Sequence, residues 1–186
     1  INYEDGTTEV VSTVRSWKTH DSPVIFNSIY TGERYDARQK IPGWCDAGLN
    51  ERSWQNAVIT GTPSQNIVSQ QMHPIRVIEE QQPVSVNKID PNTWVFIFPK
   101  NIAGLTRLKI TGPVGSVIEL KHGEKLYDNG HVTIESISNK MVITPSDPPD
   151  PFHTDIYTLK VEGVDTFCPH FTSMEFQFFN FTPLVP

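Results

Sequence analysis

Apolar and polar residues alternate along much of this chain with the two-residue period that is typical of β-strands. In the run 105–111, for example, Leu108 and Ile110 fall on one side and Arg107 and Lys109 on the other. Further runs rich in Val, Ile, Thr and aromatic residues recur along the chain. Together they predict strands at residues 9–14, 24–28, 94–98, 105–111, 116–121, 132–136, 140–144, 155–161 and 175–181.

Turn-forming sequences separate these runs. Residues 112–115 read Gly-Pro-Val-Gly, residues 128–130 read Asp-Asn-Gly, and residues 145–151 are rich in proline, which favours a loop there. Only residues 51–57, with Asn50 as the N-cap, have the character of a helix. The pattern predicts an all-β fold, an antiparallel β-sandwich or jelly roll, with at most one short helix.

Composition narrows the possible partners. The chain has 186 residues, of which 37% are hydrophobic and 19% charged, so it can bury a core. The formal net charge is -6 and its basic residues are interleaved with acids, which argues against nucleic acid as a partner. No apolar run reaches the ~20 residues that a membrane span needs. No signal peptide is recognisable, and both ends read as if cut from a longer protein.

Cofactor and metal motifs are missing from the sequence. Cys45 and Cys168 have no metal-ligand spacing, and two buried free thiols are favoured over a disulfide. The six histidines are dispersed, and no nucleotide-binding or hydrolase motif is present. We therefore predict no cofactor, no metal site and no catalysis by this chain alone.

Acidic residues form three groupings that are candidates for catalytic carboxylates. A glycosidase needs two carboxyl groups facing each other across a sugar, and spacing in sequence cannot establish such a pair. The default interpretation of each grouping is a set of solvated acids in turns. The third grouping also has the density of oxygen ligands that Ca²⁺ prefers, although it lacks the spacing of an EF-hand. The groupings are Glu33, Asp36 and Asp46; Glu119, Glu124 and Asp128; and Asp147, Asp150 and Asp155 beside His153.

Tryptophan offers a different chemistry, because a flat aromatic surface suits the C–H face of a sugar ring. Trp94 lies in a predicted strand and Trp54 in the predicted helix, so both are expected in the core. Trp44 follows Pro42 and Gly43 in a loop and is the best candidate for an exposed platform. With Tyr35 it forms our candidate carbohydrate-binding pair.

Several motifs, taken in order, resemble the β-sandwich region of bacterial α-L-rhamnosidases (glycoside hydrolase family 78) from about residue 5 to residue 180. These motifs are residues 30–38 (YTGERYDAR), 43–44 (GW), 54–58 (WQNAV), 74–77 (PIRV), 98–104 (FPKNIAG), 112–115 (GPVG), 123–126 (GEKL), 128–130 (DNG), 154–159 (TDIYTL) and 169–172 (PHFT). The resemblance implies a concanavalin-like sandwich whose parent enzyme cleaves terminal α-L-rhamnosyl groups with inversion. In that family the catalytic acids lie in a helical (α/α)₆ domain that follows the sandwich, so none is carried over to this chain.

Two functions follow as expectations. The first is a non-catalytic scaffold packed against the helical catalytic domain of the same parent chain. The second is an autonomous module for rhamnose-containing glycans that uses Trp44 and Tyr35. We expect residues 1–186 to form one sandwich domain, with 1–38 resembling the end of the preceding module and the sandwich proper starting near residue 66. A glycan-degrading parent is expected to be periplasmic or extracellular.

Overall fold

The computed structural model describes residues 1–62, 64–138 and 152–184. The chain folds as two compact units, the first formed by Ile1–Asp21 and Ile41–Ile75 and the second by Ser22–Lys40 and Arg76–Pro186. The strands are β1 (Lys18–Thr19), β2 (Val24–Ser28), β3 (Gly32–Asp36), β4 (Gln55–Asn56), β5 (Ser85–Asp90), β6 (Thr93–Gly104), β7 (Leu108–Thr111), β8 (Val117–Gly123), β9 (Lys125–Leu126), β10 (Val132–Thr133), β11 (Thr154–Thr158), β12 (Val164–Phe167) and β13 (Met174–Leu184). A 3₁₀ turn spans Ala37–Gln39, and helix α1 spans Glu135–Ser138.

The first unit contains little regular structure. Its strands β1 and β4 pair antiparallel, and the amide of Ala57 donates to the carbonyl of Trp17 at 2.7 Å beside them. The strand predicted at 9–14 is wrong. This segment has no strand partner, and Val10 and Val11 remain exposed, so its alternating pattern does not correspond to a buried face.

The helix predicted at 51–57 is also wrong. Asn50 does accept a hydrogen bond from the amide of Arg52, at 3.3 Å, but this closes a single turn. Residues 55 and 56 then extend to pair with β1. An Asx turn and a helix N-cap use the same side-chain acceptor, and here strand pairing decides the outcome.

The second unit is built on a seven-stranded sheet with the order β2-β3-β11-β8-β13-β6-β5. Every neighbouring pair is antiparallel except β3 and β11, which run parallel, with Tyr35 opposite Tyr157. The ribbon of β7 and β12 contributes Leu108 and Phe167 to the same hydrophobic core as the sheet. The all-β sandwich prediction is confirmed.

The core lies on one face of this sheet because alternate residues of each strand point there. In β8, Ile118 and Leu120 are buried, while Glu119 between them is only half-buried. A bulge in β13 between Phe176 and Phe178 changes the alternation and places Phe176 and Phe179 together in the core.

Most of the runs with strong alternation correspond to strands in the structure. The runs predicted at 24–28, 94–98, 116–121, 155–161 and 175–181 overlap β2, β6, β8, β11 and β13, and β7 occupies the end of the run 105–111. The run 132–136 is only partly strand, since β10 ends at Thr133 and α1 begins at Glu135. Strands β1, β3, β4, β5, β9 and β12 were not predicted. The strand predicted at 140–144 and the loop predicted at 145–151 lie outside the described residues.

Candidate functional site

Two buried carboxylates lie side by side where β3 and β11 run parallel. Glu33 is fully buried and Asp155 is 1% exposed. The backbone amide of Glu33 donates to Oδ1 of Asp155 at 2.8 Å, and the Thr172 hydroxyl approaches the same oxygen at 3.5 Å. The two acids belong to different groupings in the sequence, and strand pairing brings them together.

The carboxylate of Glu33 holds the chain segment that follows β12. Its Oε2 accepts the backbone amides of His170 and Phe171 at 2.9 and 3.2 Å, and its Oε1 lies 3.0 Å from Nδ1 of His170. A buried carboxylate is tolerated when donors satisfy it in this way. Glu33 therefore ties residues 170 and 171 to the sheet.

Asp155 is the acid whose titration the fold changes most. Burial raises its pKa to about 7, and the neighbouring charge of Glu33 contributes in the same direction. Near neutral pH this carboxyl is therefore divided between its protonated and ionised forms. A raised carboxyl pKa is also what a general acid needs, but the side chain is sealed from solvent.

An aromatic cluster lies next to the carboxylates on the same face of the sheet. Tyr35 is in ring contact with Tyr157, Phe167 and His170, at centroid distances of 5.8, 5.8 and 5.5 Å. These four rings line part of a pocket of about 230 Å³. Binding pockets for drug-sized ligands span ~300–1,000 Å³, so this one suits a single small ring.

Asp36 is a structural acid. Its two carboxylate oxygens accept from Nε and Nη2 of Arg38 at 2.9 and 2.8 Å. The guanidinium lowers the pKa of Asp36 to about 2. The carboxylate also accepts the backbone amide of Arg38, which caps the 3₁₀ turn.

The two predicted carbohydrate-binding residues occupy different units. Trp44 lies in a turn of the first unit and is 63% exposed. Tyr35 lies on β3 in the second unit, half-buried within the aromatic cluster. Both residues remain predictions, and Trp44 presents the larger free surface.

The other tryptophans are less buried than the sequence indicated. Trp94 is half-buried, with the Lys88 ammonium 4.9 Å from the centre of its ring. Trp54 is half-buried beside the ring of His20, and Trp17 is 47% exposed. The expectation that Trp54 and Trp94 are core residues is therefore only partly met.

Among the described residues, the other acids of the three groupings do not form a carboxylate pair with Glu33 or Asp155. Asp46 lies in the first unit, Glu124 accepts from Nδ2 of Asn101 at 2.6 Å, and Asp128 is exposed in a turn. Glu119 lies on the half-buried face of β8. Asp147 and Asp150, which the third grouping includes, lie outside the described residues.

Neither cysteine takes part in a disulfide. Cys168 is half-buried, whereas Cys45 is exposed, so the expectation of two buried thiols is wrong for Cys45. Burial raises the pKa of the Cys168 thiol. Within residues 1–62, 64–138 and 152–184, no group of three or more His, Cys, Asp or Glu side chains is placed to hold a metal ion. The helices in this part of the chain are all too short or too polar to cross a membrane.

Comparison with known proteins agrees with this architecture. The sequence-family model for the α-L-rhamnosidase N-terminal domain matches residues 1–79. The family model for the bacterial α-L-rhamnosidase concanavalin-like domain matches residues 87–185. The chain belongs to the bacterial α-L-rhamnosidase family. Strands β2 and β3 fall within the first match. They nevertheless belong to the seven-stranded sheet, and its other strands fall within the second match apart from the first residues of β5.

Solved α-L-rhamnosidases share this fold along the whole chain. The enzyme from Dictyoglumus thermophilum superposes with a TM-score of 0.83 at 30% identity, covering 99% of this chain and 20% of the enzyme. The Streptomyces avermitilis enzyme, solved with L-rhamnose, gives a TM-score of 0.82 at 28% identity over 100% of this chain and 17% of the enzyme. An α-L-rhamnosidase of Formosa agariphila is 33% identical over 70% of this chain and 14% of its own length. The chain thus spans about a fifth or less of these rhamnosidases.

The sequence did not predict the pairing of Glu33 with Asp155, for an identifiable reason. Glu33 lies inside the motif 30–38, in which apolar and polar residues do not alternate. Asp155 is the first residue of the strand predicted at 155–161. Only the parallel pairing of β3 with β11 brings the two together, and the loop amides that satisfy Glu33 come from 137 and 138 residues away.

Proposed function

We propose that this chain is the non-catalytic β-sandwich part of an α-L-rhamnosidase and serves as a scaffold for a helical catalytic domain of the same parent chain. The observation that carries the proposal is the burial of the carboxylate pair Glu33 and Asp155, where β3 and β11 run parallel. Catalytic carboxyl groups must reach a sugar from two sides, and Glu33 and Asp155 are closed off by the segment that they hold.

The parent enzyme would hydrolyse terminal α-L-rhamnosyl groups. In an inverting reaction, one carboxyl group protonates the leaving oxygen and a second carboxylate activates water. We assign those two groups to the catalytic domain. This chain would contribute its sheet and exposed apolar side chains of the second unit, among them Ile29, Val84 and Phe171.

A scaffold role predicts that some of this exposed apolar surface is covered in the parent. We expect hydroxyl-radical labelling of Phe171, which is 61% exposed, to fall several-fold in the parent enzyme relative to the chain alone. Tyr3, exposed in the first unit, provides a reference for radical dose in both samples. Equal labelling of Phe171 in the two samples would count against packing of the catalytic domain over this residue.

Trp44 favours a second candidate function, a module that binds rhamnose-containing glycans. Its exposed indole is available to stack on a sugar, whereas Tyr35 has three ring neighbours. In this case calorimetric titration with L-rhamnose or a rhamnogalacturonan oligosaccharide would show saturable heat. The variant Trp44→Ala should weaken binding by about fivefold, equivalent to ~1 kcal/mol.

Trp17→Ala is the matched control, because Trp17 is also exposed in the first unit. It should leave the affinity unchanged. No heat above dilution at millimolar sugar would rule out the module, and this result would leave the scaffold proposal intact.

A further inference from the structure

The pocket beside the aromatic cluster also contains charged groups that the scaffold role does not use. Lys40, Lys160 and Asp165 line it together with the aromatic rings and Cys168. Lys40 follows the 3₁₀ turn, Lys160 follows β11, and Asp165 lies on β12, so three separate elements converge on one cavity. All of them belong to the second unit.

The carboxylate in this pocket is already satisfied by the protein. Asp165 accepts the backbone amides of Lys160 and Thr166 at 3.2 and 3.0 Å, and the hydroxyl of Tyr157 is bonded to the same side chain. Asp165 therefore fixes the pocket wall.

The two lysines, by contrast, have no ion-pair partner among the described residues. Lys40 and Lys160 outnumber Asp165 among the charged residues that line the pocket, so these three residues sum to +1 in a chain whose net charge is -6. The two lysines are the lining groups that can pair with an anion. The aromatic lining adds apolar surface that an inorganic anion would not need.

We propose that this pocket binds a single sugar ring that carries a carboxylate, a ligand of the uronic acid class. Its ring would pack on the aromatic lining, and its carboxylate would meet the ammonium groups of Lys40 and Lys160. The volume of about 230 Å³ accommodates one ring, so the ligand is a terminal unit or a free monosaccharide. This inference goes beyond the scaffold function and does not depend on it.

Alkylation of the two cysteines provides the test, because each chain carries its own reference. Cys168 lines the pocket, whereas Cys45 is exposed in the other unit. With D-galacturonate at ten times its dissociation constant, iodoacetamide should modify Cys168 about tenfold more slowly, by mass action. The rate at Cys45 should not change. D-Galactose, which has the ring without the carboxylate, and acetate, which has the carboxylate without the ring, should not protect Cys168 at the same concentration.

Charge-removing variants complete the test. The double variant Lys40→Gln, Lys160→Gln should weaken galacturonate binding by about tenfold or more, since it removes both charged donors. Lys100→Gln, at a lysine that faces Glu79 outside the pocket, should leave binding unchanged. Thermal melting by circular dichroism verifies that each variant is folded. Absence of protection, equal protection by galactose or acetate, or undiminished binding in the double variant would overturn the proposal.

Discussion

Replacing Gly32 with alanine should lower the free energy of unfolding by about 3 kcal/mol or more. Gly32 begins β3 with a φ of +118°, a conformation that L-residues with a side chain rarely adopt. A Cβ atom there would also collide with the backbone carbonyl of Thr154, at the point where β11 joins β3. The strain and the collision act on the same strand pair, so neither can relax without separating β3 from β11.

Urea unfolding followed by tryptophan fluorescence measures this loss. Gly104→Ala is the matched control, because Gly104 ends β6 with an ordinary φ and its added Cβ would meet no atom within 4 Å. We expect the control to stay within about 0.5 kcal/mol of the unmodified chain, as for surface substitutions. A Gly32→Ala variant of equal stability would mean that the parallel pairing of β3 and β11 is not formed as described.

The second large effect is a pH-dependent stabilisation by Asp155→Asn. The pKa of Asp155 is raised from its usual 3.8 to about 7 in the folded chain. Below about pH 4, both the folded and unfolded states hold the proton, so this group contributes no pH dependence. Between pH 4 and 7 the unfolded state loses the proton first, and the folded state becomes progressively less stable. The total penalty, complete above pH 7, is about 4 kcal/mol.

His122 opposes this trend over much of the same range. Burial lowers its pKa to about 3. As the pH falls below 6.5, the usual pKa of histidine, His122 is therefore protonated in the unfolded state but stays neutral in the folded state. Stability arising from His122 is lost on acidification, whereas stability arising from Asp155 is lost on alkalinisation. The unmodified chain should consequently show a shallow profile between pH 4 and 6.5.

The informative quantity is therefore the difference between Asp155→Asn and the unmodified chain. An asparagine keeps the oxygen that accepts the amide of Glu33 and carries no charge to desolvate. The stability advantage of the variant should grow by several kcal/mol from pH 4 to pH 7, measured by urea unfolding at each pH. Asp128→Asn, at an exposed acid in a turn, should show no such growth. A constant difference across pH would contradict the raised pKa of Asp155.

The sequence was most informative where a strand buries one face. Runs such as the one containing Ile118 and Leu120 alternate clearly, because their polar neighbours point away from the core. Strand β3 escaped prediction because Gly32, Glu33 and Arg34 carry no hydrophobic signal. Its buried positions are filled by a glycine and two carboxylates, and the donors to Glu33 come from residues 137 and 138 positions further along the chain.

The candidate site could be predicted only in part for a related reason. Tyr35 was selected as an aromatic residue beside acids, and it does line the pocket. Lys40, Lys160 and Asp165 line one pocket because β11 and β12 lie close to β3, although more than a hundred residues separate them from β3 in sequence. No local sequence pattern predicts this long-range contact. Trp44 was easier, since a tryptophan after Pro-Gly in a loop has few ways to be buried.

Hydrolysis of p-nitrophenyl α-L-rhamnopyranoside tests most directly whether this sandwich is a scaffold without chemistry of its own. The substrate should be cleaved by the parent enzyme and not by this chain, whose turnover should equal that of buffer alone. In the parent, Gly32→Ala should lower the temperature at which activity is lost, and Gly104→Ala should not. Turnover by this chain that disappears in Glu33→Gln would contradict the account, because it would make the buried carboxylate pair an active site.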